Sequence, residues 1–356
     1  MGLAKGLNKD TFDVTVVCLY SGGELTQELH ESGVRLISLE KKGRWDVPGF
    51  IWRLIRVLRG LEPDILHSYL SVQNLLSVLV KPALPATRVV WGVRTSNMDS
   101  VRYEDWLARP TFRLEILLSR FPSLTIFNSA AGREHYSSLG FAGSRTAVIP
   151  NGVDTERFSP NARSGARLRA LWQIPEGAFL VGIVGRLDPV KDHTTFLRAA
   201  ALFAQVRPEA RFVCIGGGPE KYADELRGLS DKLGLTETVL WPGFILDDLS
   251  AAYNALDICT SSSSYGEGTP NVLCEAMACG VPCVVTAVGD SPQVVGETGI
   301  IVPPRNPEAL AAGWAEMARR TAENPQLRDG ARARIESRFS LSALVYRTSE
   351  ALLNLL

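Results

Sequence analysis

The chain has 356 residues, enough for two domains, and 46% of them are hydrophobic. Its 38 Lys+Arg balance 38 Asp+Glu, which excludes a polybasic nucleic-acid binder; the 21% charged fraction beside so much apolar material excludes a disordered chain. No run approaches roughly 18 uninterrupted apolar residues, so no membrane-spanning helix is expected.

The opening MGLAKGLNKDTFDVTVV has no cationic end followed by an apolar run. No secretory leader is expected, and the expected location is cytoplasmic. Strand candidates rich in Val and Ile follow in order: Val14–Tyr20, Val34–Leu39, Asp64–His67, Arg88–Val93, Leu124–Phe127 and Thr146–Ile149. The second half continues with Phe179–Val184, Arg211–Ile215, Val239–Trp241, Ile258–Thr260, Pro282–Thr286 and Ile300–Val302. Helical patterns separate nearly all of them. Buried strands alternating with helices predict an α/β fold of doubly wound parallel sheets.

Twelve strands are too many for one such sheet. The break is placed at Pro150-Asn151-Gly152-Val153-Asp154, where Pro, Asn and Gly punctuate the chain. This predicts one domain over 1–150, completed by a C-terminal helix at 340–356, and another over 151–339. Residues 1–150 hold 18 Lys+Arg against 14 Asp+Glu, and the remainder 20 against 24, so overall neutrality hides a basic half and an acidic half. The six cysteines (Cys18, Cys214, Cys259, Cys274, Cys279, Cys283) form no C-x-x-C pair and sit mostly in apolar runs, as buried thiols do. The spacing of Cys274, Cys279 and Cys283 matches no zinc pattern, and with four histidines in the chain no metal site is expected.

Ligands of open parallel sheets bind beyond the carboxyl ends of the strands. Three such ends stand out in the second half. Gly185-Arg186-Leu187-Asp188-Pro189-Val190-Lys191-Asp192 follows the strand FLVGIV and precedes the helical HTTFLRAAALFAQV. Arg186 offers a planar fork and Lys191 a point charge where helix amides already favour an anion; a solvated loop with two surface cations is the alternative. Gly216-Gly217-Gly218-Pro219 lets backbone approach a ligand, but a plain tight turn fits equally. The third stretch is Tyr265-Gly266-Glu267-Gly268-Thr269-Pro270-Asn271-Val272-Leu273-Cys274-Glu275, with a helix starting at Pro270 and ending at Gly280. Glu275 among apolar neighbours needs donors, and a sugar's vicinal hydroxyls would supply them. The amides around Thr269, Pro270, Asn271 and Val272 suit a phosphate. A helix glutamate in an internal salt bridge is the alternative for Glu275.

The succession GRLDPVKD, CIGGGPE, WPGF, EGTPNVLCEAMACGVPCVVTAVGD and GIIVPP resembles the retaining glycosyltransferases of family 4, of the GT-B fold. The resemblance covers essentially the whole second half, including the E-x7-E pair Glu267 and Glu275. The first half matches more loosely, through PDILHSYL, VVWGVRTSN and VIPNGVD. Gln293 stands where a glutamate is commoner.

The resemblance implies two doubly wound domains facing across a cleft, the first binding the acceptor and the second a nucleotide-diphosphate sugar. Arg186 and Lys191 would hold the diphosphate, Glu275 the ribose and Glu267 the donor sugar. Gly217 and Gly218 would border the nucleotide, and Gly243, Phe244 and Ile245 would lie near the base. GT-B enzymes use cationic side chains where others use a divalent metal, and no D-x-D motif is present, since Asp247 and Asp248 are adjacent. No cofactor beyond the donor is expected. Glu267 is not cast as a glycosidase-type nucleophile, because the family retains configuration by same-face attack.

His67-Ser68-Tyr69 and Arg94-Thr95-Ser96-Asn97 end two strands of the first half. His67 and Arg94 contact acceptor or donor sugar on one reading, and are a loop histidine and a surface arginine on the other. Residues 41–59 interleave Lys41, Lys42, Arg44, Arg53, Arg56 and Arg59 with Trp45, Phe50 and Trp52, and carry an apolar stripe at Val47, Ile51, Leu54, Ile55 and Leu58. This is either a helix with a solvated basic face or a docking surface for anionic lipid at the inner face of the membrane. The acceptor implied is a glycan or lipid-linked glycan of surface polysaccharide synthesis. GLAKGL resembles the end of the family's first helix and FDVTVVCLY its second strand, so the first strand and its Gly-rich loop are expected to be missing, leaving two unpaired strand edges. A non-catalytic or truncated nucleotide-sugar binder is therefore the competing expectation, with a GT-B sugar-nucleotide epimerase behind it.

Overall fold

A computed structural model of the chain describes residues 2–21, 26–43, 46–94, 108–141, 145–245 and 248–356. Thr95, Ser96, Asn97, Arg44, Trp45 and Asp247 lie outside the described residues. All twelve expected strands form, and every strand pairing among the described residues is parallel. The chain divides into two units, Met1–Gly152 with Leu341–Leu356, and Val153–Ser340.

The first unit runs α1 (Gly2–Gly6), β1 (Thr15–Cys18), α2 (Thr26–Glu31), β2 (Arg35–Ser38), α3 (Val47–Leu61), β3 (Ile65–Tyr69), α4 (Ser71–Val80), β4 (Arg88–Val93), α5 (Ala108–Leu118), β5 (Leu124–Phe127), α6 (Ala130–Ser138) and β6 (Thr146–Val148). The second runs α7 (Ala162–Leu171), β7 (Phe179–Val184), α8 (His193–Val206), β8 (Ala210–Ile215), α9 (Glu220–Lys232), β9 (Val239–Gly243), α10 (Leu249–Asn254), β10 (Ile258–Ser261), α11 (Asn271–Ala278), β11 (Cys283–Thr286), α12 (Ser291–Val295), β12 (Ile300–Val302), α13 (Pro307–Glu323) and α14 (Leu327–Arg338). The last helix, α15 (Leu341–Leu353), returns to the first unit and packs on α1.

In the second unit the strand order is β12-β11-β10-β7-β8-β9. Winding proceeds outward in both directions from the adjacent pair β7 and β10, which is the topological switch point. Strands with a neighbour on each side and helices on both faces have no room for polar residues, so β7 reads FLVGIV and is buried from Leu180 onward. Trp314 of α13 packs against Phe196, Phe203 and Phe212, and its Nε1 donates to Thr260 Oγ1 at 2.9 Å. That bond gives the indole N–H the partner a buried donor requires.

In the first unit the strands form two sheets, β1-β2 and β3-β4-β5-β6. β1 pairs only with β2 and β3 only with β4, so among the described residues each keeps one edge without a strand. Helix α3 spans both sheets: Phe50, Leu54 and Leu58 are buried with Leu39, Val80 and Leu84, and both Val17 of β1 and Leu66 of β3 pack on this cluster. Each such buried side chain stabilises the unit by about 1.5–3 kcal/mol. The expected stripe is corrected at one point: Val47 is 51% exposed and Phe50 is buried in its stead. Val47 is the first helical residue, and a Cβ leaning toward the helix N-terminus has no turn beneath it to pack on.

Candidate active site

The site of the second unit lies at the carboxyl ends of β7, β8 and β9 and in the loop after β10. Backbone bonds carry the sheet ladder past the strand ends: Gly185 N donates to Ile215 O, Leu187 N to Gly217 O and Gly216 N to Gly243 O, each at 2.9 Å. Gly216 has φ +139°, and a Cβ there would stand 1.9 Å from the Gly185 carbonyl oxygen. Only glycine permits that approach. The Gly216–Gly218 run is thus part of a locked three-loop junction. Pro219 stands just before α9.

Beyond Gly185, Asp188 accepts from Val190 N at 2.9 Å and shapes a 3₁₀ turn over Pro189–Lys191. Asp192 then caps α8 by accepting from Thr195 N. The Arg186 guanidinium is largely exposed, with Nη2 3.7 Å from Asp188 Oδ2. Lys191 turns the other way, and its Nζ lies 2.5 Å from Glu267 Oε1. The contact joins the loop after β7 to the loop after β10, across the switch point.

Further bonds hold the second loop. Ser263 Oγ donates to Glu267 Oε1 at 2.5 Å, Ser264 N donates to Val190 O, and Ser262 Oγ donates to the carbonyls of Lys191 and Asp192. Thr286 Oγ1 of β11 holds the Ser263 carbonyl at 2.6 Å. Asp290 N donates to Gly268 O, and at Gly289 (φ +56°) a Cβ would meet the Glu267 carbonyl at 2.2 Å. Glu267 is nearly buried, and a carboxylate there is tolerable because a cation and a hydroxyl both serve it. Ser263 had one sequence signal, the polar run Ser261–Ser264 at a strand end.

Helix α11 begins at Asn271, with Pro270 in the capping position, one residue later than expected; proline has no N–H to satisfy there. Glu275 sits on its half-buried side and accepts from Tyr253 OH at 2.7 Å. Burial raises its pKa, while the Tyr253 bond and the more distant Arg157 charge oppose that. The salt-bridge alternative is corrected: the hydrogen-bond partner is a phenol, not a cation. Phe244 is 67% exposed and its ring lies over Gly217, whereas Ile245 packs on the hydrophobic core. Thr269 is buried and Asn271 exposed. His193, at the first position of α8, is wholly buried; burial, with the Lys191 charge, pushes its pKa down to about 4, so the ring is neutral at pH 7.

In the first unit, β3 to β6 bring a second polar group together. Arg94, after β4, donates from Nη1 to Asn151 Oδ1 at 2.6 Å, and its guanidinium lies 5.0 Å from the Tyr69 ring centre. Asn128 Nδ2, after β5, reaches the Arg94 carbonyl at 3.4 Å. Arg94 is half-buried, which corrects the surface-arginine alternative. His67 stacks on Tyr69 at 4.4 Å; its Nε2 is buried, and burial, with the Arg94 charge, holds its pKa at about 3. Tyr69 and Asn151, rather than the His67 ring, flank Arg94. Leu70, next in the chain, has φ +73° and ψ 152°, a backbone region that side chains rarely adopt and that clusters at functional sites.

On α3 the basic face is partly committed. Arg53 pairs with Asp46 and donates from Nε to Leu39 O, and Arg59 Nε donates to Ala83 O. Trp52 is exposed, with Arg56 over its ring. No helix among the described residues is long and apolar enough to cross a membrane.

Comparison with known proteins locates this geometry. Residues 1–157 match the sequence model of the family described as Glycosyltransferase Family 4, and residues 178–320 match that described as Glycosyl transferases group 1. A D-inositol 3-phosphate glycosyltransferase of Salinispora arenicola (strain CNS-205) is 34% identical over 202 residues, covering 53% of this chain and 45% of that protein. The namesake from Mycobacterium sp. (strain KMS) is 38% identical over 185 residues, covering 50% and 40%. The matched stretch therefore spans less than half the length of these curated relatives. Among solved structures, Anabaena Alr3699/HepE in complex with UDP superposes with a TM-score of 0.84 at 21% identity, over 99% of this chain and 94% of that one. Sucrose-phosphate synthase from Thermosynechococcus elongatus gives 0.77 at 22%, over 99% and 91%. The fold is the GT-B fold of these structures, with parallel sheets in two units.

Proposed function

We propose that this chain is a retaining glycosyltransferase that moves a sugar from a nucleotide-diphosphate sugar to a glycan or lipid-linked acceptor in surface polysaccharide synthesis. The observation that supports this best is the 2.5 Å contact of Lys191 with Glu267, which puts a cation and a carboxylate together at the switch point. Breaking the anomeric C–O bond leaves negative charge on the diphosphate and positive charge on the sugar. Lys191 bonds Glu267 through one N–H and keeps two for phosphate oxygens. Arg186 adds a fork from the open side, so that the two cations do in this chain what a divalent metal does in other transferases. Donors fixed before the reaction act most strongly as the charge develops.

In this proposal Glu267 orients the donor sugar through its hydroxyls, Glu275 meets the ribose with Tyr253 steering its carboxylate, and Phe244 offers an aromatic face to the base. The second unit is then the donor side and the first the acceptor side, where Arg94 suits an anionic acceptor; the relatives' name, an inositol 3-phosphate transferase, agrees with that charge. Contact with an anionic membrane at the inner face, through Trp52 and Arg56 in residues 41–59, belongs to the same proposal, as does a cytoplasmic location. The second reading is a nucleotide-sugar binder that does not transfer.

Melting the protein with UDP-, GDP- and ADP-sugars tests this. One base class should stabilise it, by about 2.7 kcal/mol at 100 times Kd. Product formed with retained anomeric configuration completes the case. Stabilisation with no transfer to any acceptor leaves the binder; no stabilisation by any nucleotide sugar removes both.

A further inference from the structure

The chain carries a run of serines, Ser261–Ser264, where β10 ends, and two of their hydroxyls are used differently. Ser262 Oγ donates to the carbonyls of Lys191 and Asp192, and so ties one stretch of backbone to another. Ser263 Oγ reaches a side chain instead, Glu267 Oε1, at 2.5 Å. Ser263 is wholly buried, so it touches no ligand itself.

The same carboxylate oxygen receives Lys191 Nζ, also at 2.5 Å. Oε1 thus takes both protein donors. Oε2 takes no hydrogen bond among the described residues and is not sealed from solvent. A lysine alone does not enforce this arrangement. An ammonium is a point charge on a flexible stem, and a carboxylate offers about four acceptor sites over its two oxygens. Lys191 by itself could bridge both oxygens or move from one to the other. A hydroxyl fixed in the core removes that freedom. Ser263 is held from behind, since Thr286 Oγ1 donates to its carbonyl at 2.6 Å and Ser264 N donates to Val190 O at 2.9 Å. The far end of the turn is held as well, by the close approach of Gly289 to the Glu267 carbonyl.

We propose that Ser263 is a positioning residue for transfer: by sharing Oε1 with Lys191 it leaves Oε2 of Glu267 as the oxygen that receives a donor-sugar hydroxyl. It also keeps Lys191 from closing on both oxygens, so that N–H groups stay free for phosphate. The inference rests on the proposed glycosyl transfer and adds the group that orients its carboxylate. A preset acceptor acts most strongly where the sugar flattens and gains charge, so the role should show in turnover more than in ground-state binding. Thr286 stands one step further out and acts through Ser263.

The first test needs no substrate. A crystal structure of Ser263→Ala should show the Glu267 carboxylate turned, with Lys191 Nζ within about 3 Å of both oxygens; a carboxylate placed as in wild type overturns the proposal. The second test uses the nucleotide sugar that stabilises wild type. Ser263→Ala should lower kcat about tenfold to hundredfold, with donor KM moved less than about threefold, and Ser263→Thr, which keeps a hydroxyl, should recover most of that loss. In a Glu267→Gln background the same Ser263→Ala change should cost less than about twofold. A purely structural serine would lower kcat equally in both backgrounds; that result, or an unchanged kcat in Ser263→Ala, overturns the proposal. If Ser263→Ala melts early, Thr286→Val repeats the cycle, since it loosens Ser263 and leaves its hydroxyl in place. Failure of wild type to bind or turn over any nucleotide sugar removes the proposed function instead, and the position of the carboxylate then decides the inference alone.

Discussion

In Val153–Ser340 six strands make one sheet, and its inner four, β11, β10, β7 and β8, are almost wholly buried. In the other unit the strands stand in two sheets, and β1 is half-buried along its length. Both units are built from the same Val- and Ile-rich runs, so the difference is not one of strand propensity. It lies in neighbours. A parallel strand is buried by strands on both sides and helices on both faces, and among the described residues β1 and β3 each lack a strand on one side. The same contrast extends to the loops: those after β7, β8 and β9 are bonded to one another, whereas Arg94 is held at the ends of β3–β6 by Asn151, the Tyr69 ring and Asn128.

The sharpest way to break this comparison is Gly216→Ala. Its Cβ would meet the Gly185 oxygen at 1.9 Å, and we expect about 3–5 kcal/mol of lost stability in urea titration, confined to the second unit's transition. Wild-type unfolding would show that the loops are not locked. Next, if the proposed reaction holds, Arg186→Ala or Lys191→Ala should lower kcat about 10²–10³-fold, roughly 3–4 kcal/mol, without moving the first unit's melting. Unchanged turnover in both would remove the diphosphate role.

Acid distinguishes the units more gently. His193 titrates at about 4 when folded, against 6.5 for the free side chain. Between those values the unfolded chain binds the proton and the folded chain does not. Stability is therefore unaffected above pH 6.5 and falls as pH drops toward 4, by up to about 1.4 kcal/mol per pH unit. His193→Gln should flatten that slope in the second unit, as read from urea titrations across the range, and leave the first unit's slope, where His67 titrates at about 3, in place.

Hydrogen exchange sharpens the comparison further. Amides of β1 should exchange through local openings, and those of β7 and β10 only with global unfolding. Equal protection would mean that the open edges carry no energetic cost. The smallest effect is Gly60→Ala in α3, where a Cβ meets nothing within 4 Å; it should add about 0.5–1 kcal/mol to the first unit.

The strands and long helices were legible because their signal is local. HTTFLRAAALFAQV is α8 from end to end, and each Val/Ile run became a strand. Strand order was less so, since pairing joins residues far apart, and nothing in FDVTVVCLY shows that among the described residues β1 pairs with β2 alone. The site residues were visible singly, by charge at strand ends. Their meeting was not: Lys191 and Glu267 are 76 positions apart, Tyr253 stands 22 positions before the Glu275 it bonds, and nothing in the run Ser261–Ser264 singles out Ser263. For His67, a strand-end position in sequence gives no sign that the ring stacks on Tyr69 or that its Nε2 is buried.

The bonded loops after β7, β8 and β9 also bear on the thermodynamics of whatever binds there. Ordering a loop residue costs about 1–2 kcal/mol of backbone entropy. Here that entropy is lost when the unit folds, not when a ligand arrives. Association should therefore show little loop-ordering penalty, a heat-capacity change set by the ligand's own buried surface, and an encounter rate governed by charge steering toward Arg186 more than by rearrangement.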